Sequence, residues 1–140
     1  MSTINDCRII DLSKIHNKAG NITVIEHDDL IPFSVKRIYY LYDVPGGTER
    51  GGHAHKRLYQ LIVAASGSFN IQLDDGNLKK AITLNHPYKG LIVMPGIWRD
   101  LVNFSSGSIC LVLASDLFDD RDYLRNYNYY LKYKNDSSTI

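Results

Sequence analysis

At 140 residues, with 44% hydrophobic and 22% charged side chains, the chain has the make-up of one ordinary globular domain over residues 1–140. Its net charge of +1 argues against nucleic-acid or membrane-surface partners, which normally require a basic patch or tail. The longest apolar run, Leu61 to Ala65, is too short to span a bilayer, and the N-terminal Met-Ser-Thr-Ile-Asn-Asp lacks the regions of a secretory signal. Cys7 and Cys110 stand far apart with no CxxC spacing, as expected of two reduced thiols in a cytoplasmic protein.

From about Asn21 onward the pattern predicts short strands between turns. Ile22 to Ile25 and Val35 to Tyr42 are rich in β-branched and aromatic residues. Leu58 to Ser66 and Ser68 to Leu73 follow, hinged at Gly67, and Asp74-Asp75-Gly76-Asn77 is a strong turn signal. Further strands are expected at Ala81 to Leu84, Gly90 to Met94, Trp98 to Phe104 and Ile109 to Ser115. Even spacing of this kind predicts a sandwich or barrel. Only the tail reads as helix, with Asp119 as its cap and Tyr123, Tyr127 and Tyr130 at helical spacing. The polar Asn135 to Ile140 is expected to fray. Ten tyrosines in all, clustered at Tyr39 to Tyr42 and in the tail, suit pocket walls and subunit interfaces.

The chemistry concentrates in Gly47-Thr48-Glu49-Arg50-Gly51-Gly52-His53-Ala54-His55. Residues at i and i+2 of a strand share a face, so His53 and His55 place two imidazoles side by side. On its own, this His-x-His fits either a barrel interior or an exposed strand with two solvated histidines. An interior pair needs hydrogen-bond partners for every ring nitrogen.

The wider spacing separates the two. Gly47, His53, His55, Gln60 and Gly67 fall at the intervals of the first cupin motif, and Gly90, Pro95-Gly96, Arg99 and Asn103 resemble the second. The resemblance covers Val35 to Ser115 and implies an all-β cupin jelly-roll (double-stranded β-helix) barrel with a short C-terminal helix. Metal-binding cupins hold their ion with three histidines and a glutamate. Here Gln60 and Arg99 stand at two of those positions, a weak ligand and a cation that cannot donate to a metal. No metal site is expected. Two histidines, arginines and tyrosines together suit acid–base chemistry on an anionic ligand, with Arg50 or Arg99 favouring the neutral imidazole that a base requires.

The segments Arg37-Ile38-Tyr39-Tyr40, Arg50 to Lys56, Leu73-Asp74-Asp75-Gly76, Trp98-Arg99-Asp100, Leu111 to Asp116 and Asp122 to Tyr127 resemble the dTDP-sugar 3,4-ketoisomerases almost end to end. The resemblance implies a cofactor-free, dimeric isomerase that turns dTDP-4-keto-6-deoxy-glucose into a 3-keto isomer, later aminated for deoxy-amino sugars of surface glycans such as the lipopolysaccharide O-antigen. It implies His53 as the base, His55 and Tyr39 as partners in proton transfer, and Arg37, Tyr40, Arg50, Gln60 and Arg99 as substrate-binding residues. Members differ where this chain has Arg99 and Ala19, two positions that bear on the C4 configuration of the product. Arg99 favours the gluco product, while Ala19 matches neither pattern. Two other readings fit the same scaffold: a sugar-nucleotide 3,5-epimerase and a non-catalytic sugar-binding cupin.

Overall fold

The structure, a computed structural model, describes residues 2–27 and 30–138. Six strands precede Gly67: β1 (Arg8–Asp11), β2 (Ile15–Asn17), β3 (Gly20–Ile22), β4 (Arg37–Leu41), β5 (Arg50–His55) and β6 (Gln60–Ser66). Six follow it: β7 (Phe69–Asp74), β8 (Lys79–Leu84), β9 (Lys89–Val93), β10 (Trp98–Val102), β11 (Ile109–Ala114) and β12 (Tyr123–Leu124). Helix α1 (Tyr127–Ser138) closes the described chain. Two five-stranded antiparallel sheets form the jelly roll, ordered β1-β9-β6-β11-β4 and β12-β5-β10-β7-β8, and β2 pairs β3 in a separate hairpin. The all-β cupin architecture expected from the motifs is the one observed.

Period-two alternation builds the interior. Ile62 and Ala64 of β6, Leu91 and Val93 of β9, and Cys110 and Val112 of β11 meet Phe69, Ile71 and Leu73 of β7 and Leu101 of β10. The alternate residues of the first sheet are buried too. Leu61, Val63, Ile92 and Leu113 pack under Leu12, Ile31 and Phe33, so the N-terminal arm covers the sheet's outer face. That second cover explains why β6 reads as a continuous apolar run rather than an alternating one. The outer face of the second sheet is covered in turn by α1, where Tyr130 packs with Ala54, Trp98 and Leu124.

Several elements differ from the sequence pattern. β1 lies ahead of Asn21; it is an edge strand whose partner, β9, is distant in sequence. β3 ends at Ile22, and Thr23 to Glu26 is irregular, with Ile25 packed on the outer face of the first sheet. Asp119 caps a 3-10 turn (Asp120–Asp122) instead of the helix. The α1 cap is Asn126, whose Oδ1 accepts the Tyr129 N–H at 2.9 Å. Tyr123 belongs to β12, and Asn135 to Ser138 continue the helix, while residues 139–140 lie outside the described residues.

Gly67 turns the chain from β6 into β7 at φ +68°, and a Cβ there would meet Ser105 Oγ and lie 2.9 Å from Ser108 Cα. Gly67→Ala is expected to cost about 1–2 kcal/mol from the left-handed backbone alone, with the Ser108 backbone contact adding to it. A lowered urea midpoint with unchanged m-value checks this. A midpoint equal to that of the unsubstituted protein contradicts it.

Candidate active site

The jelly roll is apolar at one end and polar at the other. Strand parity turns Arg37 and Tyr39 of β4, His53 and His55 of β5, Gln60 of β6 and Arg99 of β10 towards the interior face. β5 reaches that face through a bulge. Arg99 pairs with His53 while the next residue, Asp100, pairs with Gly51, leaving Gly52 unpaired. Gly51 and Gly52 adopt φ +95° and +59°, and a Cβ on Gly51 would lie 3.1 Å from the Arg99 carbonyl oxygen. The two glycines therefore form the extra residue and close approach that re-aim His53 inward.

His53 Nε2 lies 3.1 Å from His55 Nε2, with the rings edge to face at 89°. His53 Nδ1 lies 2.9 Å from the Gly51 carbonyl oxygen. His55 is fully buried, and its Nδ1 lies 3.2 Å from Asp122 Oδ2. Tyr123 packs on both rings, with centroids 5.1 Å from His53 and 4.4 Å from His55. Behind them, the Arg99 guanidinium donates to Gln60 Oε1 through Nη1 and to the Ile97 carbonyl at 2.9 Å through Nη2. Gln60 Nε2 donates to the Tyr39 hydroxyl at 3.1 Å. His53, Gln60, Arg99 and Tyr39 are thus joined by neighbouring strands and side-chain bonds. Among the described residues, no group of three or more His, Cys, Asp or Glu side chains gathers to hold a metal ion.

Both imidazoles are held neutral. Burial lowers the His53 pKa to about 4, helped by the Arg99 charge, and the same two causes push His55 lower still. Arg37 and Arg125 add to the field on His55. Arg99 is 2% exposed and makes no ion pair with a carboxylate among the described residues, so its charge acts uncompensated on the site. Arg99 Nε and Arg37 Nε are buried and have no hydrogen-bond partner among the described residues. These are donors available to an anion. Burial raises the Tyr39 pKa and keeps its hydroxyl protonated.

A depressed histidine pKa has a sign for stability. As pH falls below 6.5 the unfolded chain takes up protons that the folded His53 refuses, so stability declines between pH 6.5 and about 4. The melting temperature of the unsubstituted protein is expected to fall more steeply over that window than that of His53→Asn. Parallel curves would contradict it.

The structure departs from the expected site at Tyr40 and Arg50. Tyr40 follows Tyr39 directly and so faces the other side of β4, where it is 58% exposed and packs against Tyr42 at 5.7 Å. One of two adjacent strand residues can face the interior, and here it is Tyr39. Arg50 is exposed at the start of β5, and the foremost cation acting on the histidines is Arg99. Ala19 is exposed in the turn of the β2–β3 hairpin, which pairs with neither large sheet. Asp122 and Tyr123 were not among the expected site residues. They sit 67 positions or more beyond His55, in an acidic turn with no local pattern pointing to the histidines.

The hollow lined by Arg37, His55, Arg57, Asp119, Asp122 and Tyr123 measures about 10 Å³, room for no more than one water. His53, by contrast, is part-exposed. A wider hollow, about 470 Å³, lies between Thr3, Asp75 to Leu78 and Lys134, and shares no residue with the histidine pair.

The FdtA family model, described as WxcM-like, C-terminal, matches residues 5–135. The TDP-4-oxo-6-deoxy-alpha-D-glucose-3,4-oxoisomerase of Aneurinibacillus thermoaerophilus is 44% identical over 126 residues, covering 90% of this chain and 91% of that protein. A 3,4-ketoisomerase from Helicobacter canadensis superposes with a TM-score of 0.90 at 40% identity, over 93% of this chain and 98% of its own. A histidine-to-asparagine variant of the 3,4-ketoisomerase QdtA from Thermoanaerobacterium thermosaccharolyticum, in complex with TDP-4-keto-6-deoxyglucose, superposes at 0.90 and 38% identity. That match covers 93% of this chain and 94% of the other. Extent and identity together place the chain in the FdtA family of TDP-sugar 3,4-ketoisomerases, and it is an isomerase.

Proposed function

We propose that the enzyme converts TDP-4-keto-6-deoxy-glucose into its 3-keto isomer by moving a proton from C3 to C4, with His53 as the base. The observation that carries this is a neutral imidazole on the open side of the site, backed by a second imidazole at 3.1 Å and a buried guanidinium. The C3 hydrogen is acidified by the adjacent C4 carbonyl. His53 removes it and the C4 carbonyl oxygen takes up a proton, giving a C3–C4 enediol; a proton then adds to C4 while the C3 hydroxyl gives up its own and becomes the carbonyl. Atoms and electrons balance within the sugar, so the step calls for no redox cofactor.

Developing negative charge on the enediol oxygens favours Arg99, whose field reaches the reacting face. His55 passes the proton, and Tyr39 supplies a protonated hydroxyl at the same end. Arg37, with a free buried Nε, suits the diphosphate, and exposed Arg50 can reach the same group from the rim. Arg99 favours the gluco product. The 3-keto sugar then serves an aminating step in deoxy-amino sugar synthesis, within the cytoplasm. Two copies assemble as a homodimer, for which edge strand β4, with Ile38 and Tyr40 exposed on it and Tyr42 exposed just beyond it, offers a surface.

Proton NMR of TDP-4-keto-6-deoxy-glucose incubated with the protein tests the reading. A 3-keto product with an axial C4 hydrogen, seen as a large coupling to C5, is the expected result. A galacto product would overturn the stereochemical assignment alone. An unchanged spectrum would sink the catalytic reading and leave a sugar-binding cupin.

A further inference from the structure

We infer that Asp122 is a positioning residue: it fixes the tautomer of His55 and thereby keeps the Nε2 lone pair of His53 free to take a proton. The inference rests on His53 being the base.

Four groups lie in a row: Asp122 Oδ2, His55, His53 and the Gly51 carbonyl oxygen, separated by contacts of 3.2, 3.1 and 2.9 Å. Each contact needs one hydrogen, and both ends of the row are acceptors. A carbonyl oxygen can only accept, so His53 carries its hydrogen on Nδ1. A carboxylate likewise only accepts, so His55 carries its hydrogen on Nδ1. Two neutral imidazoles hold two hydrogens for three contacts. The contact left without one lies between the two Nε2 atoms, where two lone pairs meet.

That deficit is where a proton from the sugar would be received. Once His53 Nε2 takes it, the new N–H lies 3.1 Å from the His55 lone pair, and all three contacts are filled. Asp122 then faces the charge it has helped to create. The carboxylate itself is fixed from the other side, since its Oδ1 accepts the Arg57 backbone N–H at 2.8 Å and lies 3.8 Å from Arg57 Nε. Burial first, and then the Arg99 charge, keep the resting pair neutral, with Arg125 adding to the field on both rings, and Tyr123 covers both rings. In this arrangement Asp122 does not contact the sugar; it acts through His55.

Asp122→Asn reverses the row. Its Oδ1 can still accept from Arg57 N–H, but the amide now donates to His55 Nδ1. His55 must then carry its hydrogen on Nε2 and donate it to His53 Nε2. All three contacts are satisfied with neutral rings, and the base is occupied. A tautomer error of this kind in a hydrolase triad costs about 10⁴-fold in turnover, and loss of one acid–base partner about 10²–10⁴-fold. Asp122→Asn is therefore expected to lower kcat by on the order of 10²–10⁴-fold with KM unchanged.

The decisive readout is ¹⁵N NMR of the imidazoles in the substrate-free protein. His55 should be Nδ1–H in the unsubstituted protein and Nε2–H in Asp122→Asn. An unsubstituted protein with Nε2–H on His55 overturns the inference without any variant. So does Asp122→Asn with normal turnover, or with lowered kcat and an unchanged tautomer. Because the tautomers are read without substrate, the result stands apart from whether His53 proves to be the base.

Discussion

Replacing His53 by Asn is expected to lower kcat by about 10³-fold, within the range for loss of a positioned acid–base group, while affinity for TDP and the fold are retained. Asn places an amide close to where Nδ1 meets the Gly51 carbonyl, so the local hydrogen bond has a replacement. It has no lone pair on nitrogen able to take a proton at C3. Arg37, Gln60 and Arg99, the groups proposed to bind the substrate, make no hydrogen bond to His53 and stay in place. Turnover by NMR and TDP binding by calorimetry separate the two effects. Normal turnover would remove His53 from the chemistry. Loss of both binding and folding would make it a structural residue.

Arg99→Met is expected to slow turnover by about 10²–10³-fold, the usual loss when a preorganised charge at a developing oxyanion is removed. It should at the same time make His53 a stronger base. Arg99 is second only to burial among the causes that depress the His53 pKa to about 4, so its loss moves the acid limb of kcat/KM to higher pH. The sign follows because a protonated His53 cannot act as the base. A stronger base with slower turnover distinguishes stabilisation of the enediol from tuning of the imidazole. Stability should change little, because two terms oppose each other. Removing a buried charge without a carboxylate partner relieves desolvation, whereas Gln60 Oε1 and the Ile97 carbonyl lose a donor at about 1–3 kcal/mol each. A pH profile unmoved by the substitution would show that the guanidinium does not act on the pair.

Much of the site was legible because strand geometry is local. His53 and His55 share a face by spacing alone, whereas the bulge at Gly51-Gly52 that turns them inward is seen only in the structure. Gln60 and Arg99 were found through the spacing of two motifs, and the structure joins them by a hydrogen bond across strands. Tyr40 misled because a Tyr-Tyr pair does not say which ring faces inward; the buried neighbours of Tyr39 decide it. Asp122 was invisible for a different reason. Its partner is 67 positions away, and the contact depends on β12 adding to the edge of β5, with Tyr123 opposite His55. A two-residue strand has no periodicity to read. The same holds for β1, short and at a sheet edge, and for the helix cap, where three acidic residues around Asp119 drew attention from Asn126.

The most direct measurement is the position of solvent label when TDP-4-keto-6-deoxy-glucose turns over in deuterium oxide. A base on the C3 side, relayed between His53 and His55, places deuterium at C4 of the product or at C3 of recovered substrate, with the C5 hydrogen retained. Loss of the C5 hydrogen would instead indicate epimerase chemistry and would contradict proton transfer between C3 and C4.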